Sequence, residues 1–385
     1  MSVPFGIYET LLGILFIIII PVILYVARHC FKRHKNRIDG YSAICTAMAI
    51  LIMGIYFIIE GLSVYYHSNF LFSSGLEKES LEYALSNLIL PYPTATFVLY
   101  LIPMIFLFIA AYVAKELFTK NFLDEKKVKD SFEVDVEKSD LEVARKTFHI
   151  TIIAVIVCYL LLGQMIVTQI FTFVQDSTQH LYDLGISQIP WQEINISEVI
   201  SFEAMARFLI VFIVAIILFL LTFTDFIRIY IWRFYPLKMV TQAYREREKN
   251  TLGPHVYFVA GVLLVGMFCP AQSAMVTISI SGLGDAFATI VGVTFGKHKY
   301  KKGSSKTWEG GVGGFVSSFG FSLLSYFLLM PLYDGIILKG ITMAIVGSVI
   351  FLLIDYLSPP IEMSDNILNP IIIGFVTYMI YIIPF

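Results

Sequence analysis

The stretch Gly282-Leu-Gly-Asp-Ala-Phe-Ala-Thr-Ile-Val-Gly292 sets one carboxylate, Asp285, inside an apolar run. Gly296-Lys297-His298-Lys299 and Ser305-Lys306-Thr307-Trp308-Glu309-Gly310 follow closely. An acidic residue at bilayer depth costs on the order of 2.5–3.5 kcal/mol on insertion scales, so Asp285 needs a cavity, a partner or a metal ion. Gly284, Ala288, Gly292 and Gly296 recur every four residues and leave a groove for close helix approach. Packing accounts for the small residues but leaves Asp285 unexplained. Lys306 precedes Gly310, Gly311, Gly313 and Gly314. A cation beside open backbone N–H groups at a helix start suits phosphate. Lys301 and Lys302 are better read as basic decoration of a cytoplasmic loop.

Other polar groups punctuate the apolar chain. Arg145, Lys146 and His149 stand where an apolar run begins, with Arg145 and His149 one helical turn apart; they suit either a phosphate or an interfacial anchor. Asp225 and Arg228 have the spacing of a structural ion pair. Asp355, Glu362, Asp365 and Asn366 add acidic and amide groups near the end of the chain. Serial carboxylates at one depth suit magnesium, which takes one or two of them together with substrate phosphates. The segment from Gly292 to His298 is no Walker A loop: it is one residue short, with His298 where a Ser or Thr should meet magnesium. Gly282 and Gly284 lack the preceding strand of a dinucleotide fold.

The elements that must position these groups are membrane helices. The 385 residues are 57% hydrophobic and 15% charged, with a mean hydropathy of +0.78, which makes lipid the main solvent. The expected fold class is all-α, a polytopic integral membrane protein of about ten transmembrane helices, near 8–27, 41–66, 94–114, 148–174, 205–227, 255–270, 272–296, 311–330, 336–357 and 367–384. The sixth run is short, and Pro270 makes it and the seventh either a tight hairpin or a re-entrant pair. Lys and Arg crowd the first, third, fifth and seventh loops, whereas 67–93 holds only Lys78 and 175–204 holds none. The bias places both termini outside and the polar groups at the cytoplasmic face. Asn195 heads a glycosylation sequon in the second outer loop.

The chain divides into an N-terminal three-helix membrane region at 1–114, a cytoplasmic hydrophilic loop at 115–147 and a catalytic membrane domain at 148–385. The first three spans are almost free of ionisable residues, Glu9 and Glu60 excepted. A formal net charge of −2 speaks against a nucleic-acid partner. Cys30, Cys45, Cys158 and Cys269 are scattered singly, without the spacing of zinc ligands or a disulfide framework. A secondary transporter would also carry intramembrane carboxylates and broken helices, but it should show comparable polar breaks in both halves.

The set RKTFH at 145–149, DFIR at 225–228, GDAFATIVGVTFGKHK at 284–299, SKTWEG at 305–310 and SDNILNP at 364–370 resembles the dolichol kinase family in order and spacing, over roughly 145–385. The resemblance extends to the relatives that phosphorylate phytol or diacylglycerol and, more remotely, to phosphatidate cytidylyltransferases. It implies transfer of the γ-phosphoryl group of CTP to a membrane lipid alcohol, a dolichol or polyprenol, with Mg2+ as the divalent metal. Its GD motif falls on Gly284 and Asp285, and its Lys-Thr-x-Glu-Gly motif on Lys306, Thr307, Glu309 and Gly310. Relatives often carry Glu in the ninth span and Asp-Asp-Asn after it, where this chain has Asp355 and Ser364-Asp365-Asn366. The extra N-terminal spans and Leu-Gly-Pro-His at 252–255 favour the polyprenol kinases over the shorter relatives. The implied site has Asp285, Asp355 and Asp365 at the metal, and Lys306, Lys297 and Lys299 with Gly292 around the nucleotide. Arg145 faces the developing charge, and His149 or Asp365 serves as base. The membrane is the endoplasmic reticulum in a eukaryote and the plasma membrane in a prokaryote.

Overall fold

The computed structural model describes residues 6–32, 37–87, 202–235, 244, 248–300, 306–329, 336–357 and 363–384, with scattered positions between 104 and 184 that include Lys146. Arg145, His149, the loop at 115–147 and the spans expected at 94–114 and 148–174 lie, apart from scattered positions, outside the described residues. The described elements are helices: α1 (Ile7–Lys32), α2 (Arg37–Ser73), α3 (Glu77–Asn87), α4 (Phe202–Tyr230), α5 (Pro254–Phe268), α6 (Ala271–Ile278), α7 (Asp285–Phe295), α8 (Trp308–Leu329), α9 (Ile336–Leu357) and α10 (Asp365–Ile382). Seven helical stretches among them are long and apolar enough to cross a membrane, with α6 and α7 counted as one stretch from Ala271 to Phe295. The protein is a polytopic, all-helical membrane protein.

The described helices follow the expected runs closely, because the apolar runs and their breakers are explicit in the chain. The difference lies at the second loop. α2 continues to Ser73 before Gly75 closes it with a positive φ of 77°, where Leu76 N donates to Leu71 O and Gly75 N to Phe72 O. That is the glycine-ended reversal that satisfies orphan carbonyls at a helix C-terminus. α3 follows, burying Ser80, Leu81, Ala84 and Leu85 on one face and pairing Lys78 with Glu82 on the other.

The chain forms two compact units, one of Met1–Ile20, Ile50–Thr119 and Leu161–Ile217, the other of Pro21–Ala49, Lys120–Leu160 and Leu218–Phe385. In the first, α1 and α2 approach so closely that a Cβ on Gly13 would lie 2.6 Å from Gly54 O, and Phe16 meets Phe57 edge to face. In the second, α8 packs against α7 and α9, and α10 packs against α5 and α9. Val276, Ile280, Tyr326, Met343, Phe351 and Ile373 form its apolar core.

α5 has 15 residues, about 22 Å of helix, short of the about 30 Å of a hydrocarbon core. Its Gly261 lies against Pro370 and its Val265 against Gly374, while Ser273 of α6 bonds Thr377 at 2.8 Å. α5 therefore runs beside α10 in parallel, and α6 turns back from the level of Thr377: the pair is a tight hairpin folded at Pro270. Between α6 and α7 the helix does not break. Residues Ser279–Gly284 form one buried π-helical turn that delivers the chain to Asp285. Such turns insert a residue into a helix and are frequent at functional sites.

Candidate functional site

The second unit gathers four carboxylate and ammonium groups of the expected set in one polar cluster, and adds Lys146. Lys306, in the segment before α8, donates to Asp355 Oδ1 at 2.6 Å, to Asp355 O at 3.1 Å and to Asp365 Oδ2 at 3.2 Å. It thus joins the last turn of α9 to the first turn of α10. Burial opposes the charge of Lys306, but Asp365 and Asp355 outweigh it and raise the lysine above its ordinary value, with a smaller contribution from Asp285. Asp285 is largely buried at the start of α7 and is ion-paired with Lys146. The insertion cost of this carboxylate is therefore met by a cation of the same chain. Lys146, which in sequence suits a phosphate or an interfacial anchor together with Arg145 and His149, is instead the partner of Asp285.

The glycines lie on the seam between α7 and α8. A Cβ on Gly310 would meet Ala288 O at 2.7 Å and Gly292 Cα at 3.1 Å; one on Gly284 would strike Ser318 Oγ; one on Gly314 would lie 2.7 Å from Ala288 Cβ. The space these residues leave is filled by the facing helix, which lets Asp285 and Lys306 sit on closely apposed elements. Thr307 caps α8: its Oγ1 accepts from Gly310 N at 3.2 Å and packs on Gly292. An antiparallel bridge between Lys299 and Thr307, with Tyr300 N to Lys306 O at 3.1 Å and Trp308 N to His298 O at 2.8 Å, folds the loop between the two helices into a hairpin. Glu309 ties the base of its two arms, accepting from His298 N through both oxygens and meeting His298 Nδ1 at 2.6 Å. Lys297 and Lys299 are exposed on this hairpin. Burial and then Asp355 push the Tyr300 phenol up to about 12. Tyr300 stays a neutral group in an aromatic cluster with Trp308 and Tyr356.

A second buried network organises the segment before α5. Arg228 Nε donates to Asp225 Oδ1 at 2.8 Å, and its other nitrogens donate to the carbonyls of Glu248, Lys249 and Thr251. Asp225 Oδ2 accepts from Gly253 N at 2.5 Å, and Tyr244 stacks under the guanidinium at 4.1 Å. Burial and then Asp225 hold the Tyr244 phenol well above its ordinary value. The guanidinium thus ties Asp225 to the backbone carbonyls at Glu248, Lys249 and Thr251, so the network acts as a latch on 248–253.

Among the described residues no three His, Cys, Asp or Glu side chains converge closely enough to hold a metal ion by themselves. Lys306 joins Asp355 and Asp365, and Asp285, paired with Lys146, adds a smaller electrostatic contribution at Lys306. This donor set fits an ion that takes one or two carboxylates and completes its shell with water and phosphate oxygen, as magnesium does.

Part of the chain resembles a plant kinase. Over 143 residues it is 28% identical to a protein of Triticum aestivum described as a probable phytol kinase, chloroplastic; the match covers 35% of this chain and 46% of the relative, so it spans about half of that relative's length. No family model matches the chain. No solved structure matches it.

Proposed function

We propose that this protein is a membrane-embedded lipid-alcohol kinase that transfers the γ-phosphoryl group of CTP to dolichol or a related polyprenol at the cytoplasmic membrane face. The observation that carries the reading is the cluster of Asp285, Lys306, Asp355 and Asp365 with Lys146, built on the motifs that resemble the dolichol kinases and lying in a chain that is partly similar to a phytol kinase. Phosphoryl transfer requires mainly positioning and charge neutralisation. Fixed carboxylates, lysines and helix starts are suited to both.

Magnesium, held by Asp285, Asp355 and Asp365, would supply neutralisation of the phosphate charge. The chain's own residues do the rest. Lys306 keeps the ends of α9 and α10 together and holds a cation beside the phosphates. Lys297 and Lys299 draw the nucleotide to the hairpin between α7 and α8. Arg145 faces the charge that develops on transfer, and His149 or Asp365 takes the proton of the alcohol. The apolar surface of the helices lets an alcohol reach the same site from the lipid. The membrane is that of the endoplasmic reticulum in a eukaryote and the plasma membrane in a prokaryote.

The similarity to a phytol kinase favours phytol as a second acceptor reading. The purified protein in detergent, given labelled CTP and a panel of dolichol, phytol and diacylglycerol, separates the two. Dolichol is the expected preferred acceptor; a preference for phytol transfers the assignment to the second reading, and phosphorylation of neither isoprenoid contradicts both.

A further inference from the structure

The start of α10 is bonded to Ser42, a residue that belongs to none of the motifs. Ser364 caps α10, its Oγ accepting from Asn366 N at 3.3 Å and from Asn366 Nδ2 at 3.2 Å. The backbone N–H of Ser364 donates in turn to Ser42 Oγ at 2.8 Å. Ser42 lies near the start of α2, fully buried, and its own proton goes to Ile38 O at 2.7 Å. A hydroxyl whose proton is committed can serve its other partner only as an acceptor, which an amide N–H requires. The start of α2 is also held by α5 and the segment before it: Tyr257 Oη donates to Asp39 O at 3.3 Å, and Thr251 Oγ1 approaches Asp39 Oδ2 at 3.5 Å. Because α5 and α10 run parallel, with Gly261 against Pro370 and Val265 against Gly374, Tyr257 stands near the level of Asn366. The first turns of α2, α5 and α10 are thus tied into one layer beside the carboxylate that Lys306 grips.

We propose that Ser42 is a positioning residue for Asp365: it fixes Ser364, and through it the first turn of α10, so that the Asp365 carboxylate stays in register with Lys306. The amino-terminal region is then part of the reaction assembly, although the motifs of the kinase reading all lie after it. The activity readout below rests on that reading; the exchange readout does not.

The test compares the full-length parent with Ser42→Ala, Ser42→Thr, Asp365→Asn and the double variant Ser42→Ala/Asp365→Asn, each purified in detergent. Amide hydrogen exchange over 363–369 and the rate of CTP-dependent lipid phosphorylation per folded molecule are measured. Ser42→Ala should speed exchange at 363–369 and lower kcat about tenfold with little change in KM for CTP, while Ser42→Thr, which keeps the hydroxyl, should restore both. In the Asp365→Asn background the same Ser42→Ala change should cost less than about twofold, since residues that act through one group are not additive. An equal loss in both backgrounds, or unchanged exchange at 363–369, overturns the proposal. A parent that phosphorylates no alcohol, with exchange still faster in Ser42→Ala, contradicts the kinase reading and supports the tether. An inactive parent with unchanged exchange contradicts both.

Discussion

Asp285 and Lys306 carry opposite charges into a mostly apolar molecule, and each is met by a partner of the same chain. Asp285→Asn keeps the size of the side chain while removing the charge that Lys146 compensates. Its expected effect is a loss of phosphoryl transfer on the order of 100-fold or more per folded molecule at saturating magnesium, with membrane insertion retained. Near-parental turnover would remove Asp285 from the reaction. Lys306→Met leaves Asp355 and Asp365 facing each other without their shared cation, and should cost about 1–3 kcal/mol of stability as well as activity. Because Lys306 is raised above the ordinary lysine value, the stability it contributes is complete below about pH 10 and is lost only as pH rises through the raised value. The difference in thermal stability between parent and Lys306→Met should therefore be flat from roughly pH 6 to 9; a difference that fades within that range contradicts the assignment. Charged residues in apolar runs are conspicuous, which is why Asp285 and Asp355 are legible in the chain, whereas Lys306 and Asp365 stand in polar loops and are marked by the motifs around them. Ser42 is not, because a serine in an apolar helix usually answers its own backbone and nothing in its spacing points 322 residues ahead.

At the scale of elements, apolar length and helix breakers fix where helices run; Pro270 marks the break after the short run but leaves a hairpin and a re-entrant pair open, and the contacts of α5 and α6 with α10 decide between them. The π-helical turn before Asp285 has no such signal: one inserted residue leaves the apolar run intact while rotating everything after it. The four-residue repeat of small residues signals close approach without naming the partner, which the structure supplies as Gly310, Gly314 and Ser318 of α8. A methyl group on Gly310 meets the backbone at Ala288 O and Gly292 Cα, where no flexible side chain can yield. Gly310→Ala should therefore separate α7 from α8 at a cost of about 1–3 kcal/mol and lower activity with it. Gly320→Ala, on the same helix with open space around the added Cβ, serves as the control. Equal melting temperatures for the two variants would contradict the seam.

For the whole molecule, the alternation of Lys and Arg between loops predicts an orientation with both termini outside. A cysteine placed at the exposed Ser86 of α3 should react with an impermeant maleimide only from the extracytoplasmic side of sealed vesicles; labelling only from the cytoplasmic side reverses the topology. The membrane class was legible because solvent preference is written in composition, whereas the choice of acceptor alcohol depends on surfaces that few residues define. A kinase moves the γ-phosphoryl group of CTP and a cytidylyltransferase the α, so the position of the label in CTP decides the chemistry of transfer. With a polyprenol acceptor, CTP labelled at the γ-phosphate should give labelled lipid and unlabelled CDP, while CTP labelled at the α-phosphate should give unlabelled lipid. Label entering the lipid from the α-phosphate with release of pyrophosphate, or from neither position, would contradict the account.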